Sequence, residues 1–145
     1  MYRFRLQRVH DHRRRRTESL ERELYQMQQL LRQGEARLEA LQAEGRVHQE
    51  QLDASQGTVL PGEELKRLHL SYCNLMQRIE AQTAVTTQIT TVLAARRQVL
   101  IRAQQEEKTV EVLNDKAKQR YNLEHSRREQ RLLDERTITR FRYEH

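Results

Sequence analysis

Along the first part of this chain apolar residues return at alternating steps of four and three. Leu20, Leu24, Met27, Leu31, Leu38, Leu41 and Leu52 lie on one such series, with Gly34, Gly45 and His48 filling the intervening places. A mean period of 3.5 puts all of these on one stripe of an α-helix, the seam along which two helices coil around each other. Followed backwards, the series runs through Thr17, Arg13 and His10 to Leu6, so the seam turns polar beside an Arg run at 13–16. The pattern predicts a helix over about residues 3–54 whose N-terminal turns need a partner.

From Asp53 to Pro61 the period breaks. Gly57 suits the position just past a helix end and Pro61 the first turn of the next helix, where Glu63 and Glu64 favour the positive end of its dipole. The seam then resumes at Leu65, Leu68, Tyr72, Leu75, Ile79, Gln82, Thr86, Ile89 and Leu93 and continues as Arg96, Leu100, Ala103, Glu107, Val110, Asn114, Ala117 and Tyr121. After Gly62 there is neither Gly nor Pro, so the second helix is predicted as one piece over about 62–138. A single short turn, about 55–61, makes the two helices antiparallel. The predicted fold is all-α, one coiled-coil hairpin over 1–145 with helix 2 longer than helix 1. Folding at residue 58 sets residue i near 116 minus i, and everything beyond about Ala117 lacks a partner from helix 1.

Composition supports a thin, elongated molecule over a globular core. Ala, Glu, Lys, Leu and Arg supply 73 of the 145 residues, the share expected of coiled coils. Gly numbers 4 and Pro 1, and Trp is absent, so neither turns nor bulky core residues are available for a compact domain. The seam itself holds Gly34, Gly45, Gln82 and Thr86, which bury less apolar area than Leu and predict modest stability. The only cysteine, Cys73, has no internal disulfide partner, and the chain opens Met-Tyr-Arg-Phe-Arg without an apolar signal segment. No apolar run approaches the ~18 residues that span a bilayer. A cytoplasmic setting, with membrane association only through partners, is the expectation.

The net charge of +6 is unevenly spread. Residues 1–16 carry seven Arg against Asp11, and residues 116–145 carry nine bases against five acids. The intervening stretch is net acidic. The hairpin sets Arg3, Arg5, Arg8, Arg13, Arg14, Arg15 and Arg16 beside Arg96, Arg97 and Arg102, and the helix 2 overhang adds Lys116, Lys118, Arg120, Arg127, Arg128 and Arg131, a surface suited to an acidic-lined hole. In contrast, the 28 residues from Leu68 to Ala95 include only two charges, Arg78 and Glu80. At about 100° per residue, Leu70, Cys73, Ala81 and Ala84 face away from the seam and Met76 lies on its flank. Interface cores lose charged residues, and this strip is read as a partner surface.

Candidate chemistry is sparse. His10, Asp11 and His12 are too close in sequence to converge on one ion from a single helix, and the six His are read as solvated. Cys73 has only His69 near it and no pocket, and the pairs Glu63/Glu64 and Asp134/Glu135 diverge. Two helices offer no concave site, so no catalysis, cofactor, metal or small-molecule substrate is expected. The Arg run ahead of leucines at multiples of seven invites comparison with a basic-region zipper. Such regions read bases with Asn, and the first Asn here is Asn74. A basic coiled coil on nucleic acid is the alternative from another class, and it requires generic DNA binding with a steep salt slope.

The chain resembles the flagellar export protein FliJ family. The resemblance rests on Phe4-Arg5-Leu6-Gln7-Arg8-Val9, on Glu64-Leu65 through Ile79, and on Ser126-Arg127-Arg128-Glu129-Gln130-Arg131-Leu132-Leu133-Asp134-Glu135. It implies a non-enzymatic stalk of the type III export ATPase, similar in shape to the coiled-coil part of the rotary-ATPase γ subunit. The end with both termini is then implied to dock in the hole of a hexameric ATPase ring and promote its assembly and hydrolysis. The matching region of helix 2, with Leu70, Tyr72, Cys73, Met76 and Ile79, is implied to touch a membrane export-gate protein. Export chaperones are further implied partners, and the location is the cytoplasmic face of the inner membrane at the flagellar base. Injectisome stalk proteins of type III secretion share this architecture and are the alternative within the class. The Arg13 to Arg16 run departs from the family pattern.

Overall fold

The protein is described here by a computed structural model covering residues 1–57, 59 and 61–144. Two helices, α1 Gln7–Ser55 and α2 Gly62–Glu144, make up almost all of it, and the described residues contain no strand. Thr58 and Leu60, within the expected turn, lie outside the described residues, as does His145.

Helix ends follow local chemistry. α1 starts at Gln7, later than the periodicity suggests, because its first turn has no acid and Arg3, Arg5 and Arg8 oppose the positive end of the dipole. At its other end Gly57 does not take the left-handed conformation, since no described residue has positive φ. The last turn instead tightens through Gln56 N–H to the Asp53 carbonyl and Gly57 N–H to the Ala54 carbonyl, both at 3.4 Å. Pro61 opens α2 with its carbonyl, which accepts from Glu64 and Leu65 N–H at 3.0 and 3.3 Å. Glu63 and Glu64 occupy the first turn as expected. α2 runs on to Glu144, past the predicted end near 138, with no breaker in its path, an Arg140 to Glu144 pair at 3.1 Å and Arg142 in its last turn.

α1 and α2 build two compact units, one from Leu20–Val99 and one from Met1–Ser19 with Leu100–His145. In the first unit the seam positions Leu24, Met27, Leu31, Gly34, Leu38, Leu41, Gly45, His48 and Leu52 are buried or half-buried, as are Leu68, Tyr72, Leu75, Ile79, Gln82, Thr86, Ile89 and Leu93 across from them. Leu65 and Arg96 are the exceptions. Leu65 lines an open groove near the turn, and Arg96 reaches out to pair with Glu23 at 2.9 Å. The best-covered apolar residues of the unit are Leu41, Leu75 and Leu93, and no described side chain falls below 2% exposure, as a two-helix layer dictates.

The seam glycines let the helices approach. A Cβ on Gly45 would meet Met76 Cε at 3.2 Å and Ile79 Cδ1 at 3.3 Å, so these two side chains close over the glycine. Gly34 is more forgiving, with Gln82 Nε2 and Thr86 Oγ1 each 3.4 Å from such an atom. Gln82 also donates to the Gly34 carbonyl at 3.3 Å. Replacing a mid-helix Gly by Ala recovers up to about 1 kcal/mol of helix propensity. Gly34→Ala is therefore expected to raise Tm by about 3 °C, read by circular dichroism; a fall of that size would mean that the interhelix gap cannot accept a methyl group.

In the second unit Leu100, Ala103 and Val110 are buried against the start of α1, where Thr17 is 4% exposed and donates to the Arg13 carbonyl at 3.0 Å. Residues 1–6 precede the helix and lie along α2. The Tyr2 hydroxyl donates to Asn114 Oδ1 at 2.8 Å, and its ring sits 5.5 Å from that of Tyr121. Tyr2 and Asn114 obey the mirror relation of residues summing to 116. From Asn122 to Glu144 every residue is exposed, which bears out the expectation that α2 outruns α1.

Candidate interaction surfaces

The unit that holds both termini gathers the basic blocks. Arg5, Arg8, Arg15, Arg16, Arg127, Arg128 and Arg131 are all exposed and none makes an ion pair within the described chain. Arg14 pairs with Glu18 one turn along the same helix at 3.3 Å. Arg13 differs in kind. It stands on the seam, half-buried, and its Nη1 donates to the Glu106 carbonyl at 2.8 Å, so it joins the two helices. An unpaired exposed Arg keeps its charge available to a partner, whereas Arg13 is already committed to a carbonyl.

The leading segment adds a feature that periodicity could not place. Tyr2, Phe4 and Leu6 with Leu113 wall an open groove of about 490 Å³ whose remaining lining includes Arg3, Arg5, Lys116 and Arg120. No acid lines it. The groove pairs apolar walls with four positive charges, a combination that accepts an acidic segment carrying an apolar side chain.

The charge-poor strip belongs to the other unit. Leu70 is 59% exposed, and Cys73, Ala81, Ala84 and Val85 are also exposed. Tyr72 and Ile79 are half-buried on the seam, with Tyr72 lining the open groove near the turn. Met76 is half-buried as well, its tip resting over Gly45, so it contributes to interhelix packing more than its flank position implied. The Cys73 thiol lies 3.8 Å from His69 Nε2 on the exposed surface.

Threonines make this surface less polar than their names indicate. The hydroxyls of the exposed Thr83, Thr87, Thr90 and Thr91 each donate to the carbonyl four residues back at 2.8–3.1 Å, as does that of Thr86 on the seam at 2.9 Å. A hydroxyl turned onto its own helix spends its donor there and leaves the methyl group toward the outside. Residues Leu68 to Ala95 thus present an outer face with few charges, on which the exposed threonine hydroxyls are already engaged.

His10 was expected to be solvated. Its side chain is 15% exposed and lies against Glu107 and Glu111 of α2, a neighbourhood that a search along one helix could not reveal. The described helices include none long and apolar enough to cross a membrane.

No curated protein and no solved structure matches the chain. A protein-family model, the flagellar FliJ protein, matches residues 2–144. That span takes in α1, α2 and the leading segment, and with them all three stretches on which the resemblance rests. The chain belongs to the FliJ family, a component of the flagellar protein export apparatus.

Proposed function

We propose that this protein is the stalk of the flagellar type III export ATPase. The unit holding both termini docks in the central hole of the hexameric ATPase ring and promotes its assembly and hydrolysis. Contacts come from Arg5, Arg8, Arg15, Arg16, Arg127, Arg128 and Arg131, with Arg13 and Arg14 holding the local geometry. The charge-poor face around Leu70 and Cys73, flanked by Tyr72, Met76 and Ile79, meets the membrane export gate. Export chaperones bind the same protein, which works in the cytoplasm against the inner membrane at the flagellar base.

The observation that carries this reading is the cluster of exposed, unpaired Arg side chains in one unit of a FliJ-family hairpin. Seven guanidinium groups without carboxylate partners raise the local potential and accelerate encounter with an acidic surface. The matching family is the flagellar one, which favours the flagellar ring over an injectisome. The test is reconstitution with the purified flagellar export ATPase from the same cell. Added protein is expected to shift the ATPase from monomer to hexamer in sedimentation and to raise its hydrolysis rate. An unchanged oligomer and rate at low ionic strength would overturn the reading.

A further inference from the structure

His10 occupies a seam position where an apolar residue would ordinarily pack, and its ring faces Glu107 and Glu111, one turn apart on α2. One ring nitrogen of His10 and one carboxylate oxygen from each Glu lie within 4.8 Å of one another. His10 Nε2 has no access to water and no hydrogen-bond partner, although buried polar atoms are ordinarily paired. Its nearest carboxylate atom, Glu111 Oε1, is 3.5 Å away, beyond the roughly 2.7–3.2 Å of an N–H···O bond. That spacing suits two ligands of a single ion: bonds of about 2.1 Å at the tetrahedral angle set donor atoms about 3.4 Å apart.

We propose that His10, Glu107 and Glu111 form a binding site for a divalent cation of the zinc class, which ties the first turn of α1 to α2. With His10 neutral the trio carries a formal charge of −2, matched to a divalent ion. One imidazole among carboxylates selects zinc-like ions over magnesium or calcium, which take oxygen donors. Nearby cations leave the position open. Arg13 is held on the Glu106 carbonyl and Arg14 on Glu18, and no described Lys or Arg pairs with Glu107 or Glu111. A fourth coordination position is left for water or for a side chain of a docked partner. The seam around the trio mixes polar residues, His10, Arg13 and Thr17 on α1 and Glu107 and Asn114 on α2, with the buried Val110, and the ion adds a direct helix-to-helix tie there.

The test uses the full chain carrying Cys73→Ser, which removes the thiol beside His69 as a competing zinc ligand. A molar excess of zinc chloride is expected to raise Tm by roughly 5 °C in circular dichroism. Titration calorimetry is expected to give one zinc per chain. Both effects should vanish in His10→Ala and in the isosteric double variant Glu107→Gln/Glu111→Gln, which decides the matter should the His10 variant fold poorly. A trio stabilised by a proton on His10 alone would show no response to zinc in the parent chain, which overturns the proposal. So would a zinc response that survives in both variants.

Discussion

Changing Arg15 and Arg16 to Glu is expected to slow association with the export ATPase by about tenfold to a hundredfold at low ionic strength. The salt dependence of the remaining association should flatten, because two favourable charges become two unfavourable ones. Both side chains are exposed and unpaired, so the substitution breaks no contact within the hairpin. Arg13 and Arg14 are kept. Reversing Arg13 would remove its bond to the Glu106 carbonyl, and reversing Arg14 would set two carboxylates against each other at Glu18, so either change would confuse docking with stability. Stopped-flow association and ATPase stimulation across a salt series provide the measurement. Wild-type rates at low salt would show that these guanidinium groups face solvent for solubility alone.

The seam was legible because its 3.5-residue period is a property of sequence order alone. Leu24 and Leu38 on one side, and Leu75 and Leu93 on the other, fall on it without knowledge of any partner, and the mirror relation anticipated that Tyr2 would reach Asn114 and Gly34 would meet Gln82. The exposure of Leu70 and Cys73 followed from the same geometry, since about 100° per residue fixes which side chains oppose the seam.

What periodicity could not supply is chemistry that crosses from one helix to the other or departs from helical form. His10 has Asp11 and His12 as its sequence neighbours, whereas its contacts Glu107 and Glu111 are about a hundred residues away in sequence. In sequence order Arg13 is one more member of a basic run, whereas the fold sets its guanidinium on the Glu106 carbonyl. Phe4 falls within the helix that periodicity predicts, yet with Tyr2 it precedes α1, packs along α2 and creates the basic groove with Lys116 and Arg120. By angle Met76 lies on the flank of the seam, but a long flexible side chain bends inward when a glycine opposite offers room.

Met76 also decides how the charge-poor face should be tested. A lysine there would lose the contact over Gly45 and weaken the hairpin, so loss of export could not be assigned to the gate. Leu70 and Val85 avoid this difficulty, being 59% and 48% exposed, Leu70 on the face of α2 away from the seam and Val85 on the seam's flank with its side chain in solvent. Lys is at least as good a helix former as Leu or Val to within a few tenths of a kcal/mol, and an exposed ammonium is fully solvated. The double variant Leu70→Lys/Val85→Lys is therefore expected to keep wild-type helicity and Tm within about 2 °C. Two ammonium groups at the centre of an apolar interface must shed water without a counter-charge, a cost of several kcal/mol that weakens binding at least about a hundredfold. Flagellar export should then fall to background while stimulation of the ATPase, which uses the other unit, is retained. Normal export by a variant that folds and stimulates like wild type would rule out this face as the gate contact.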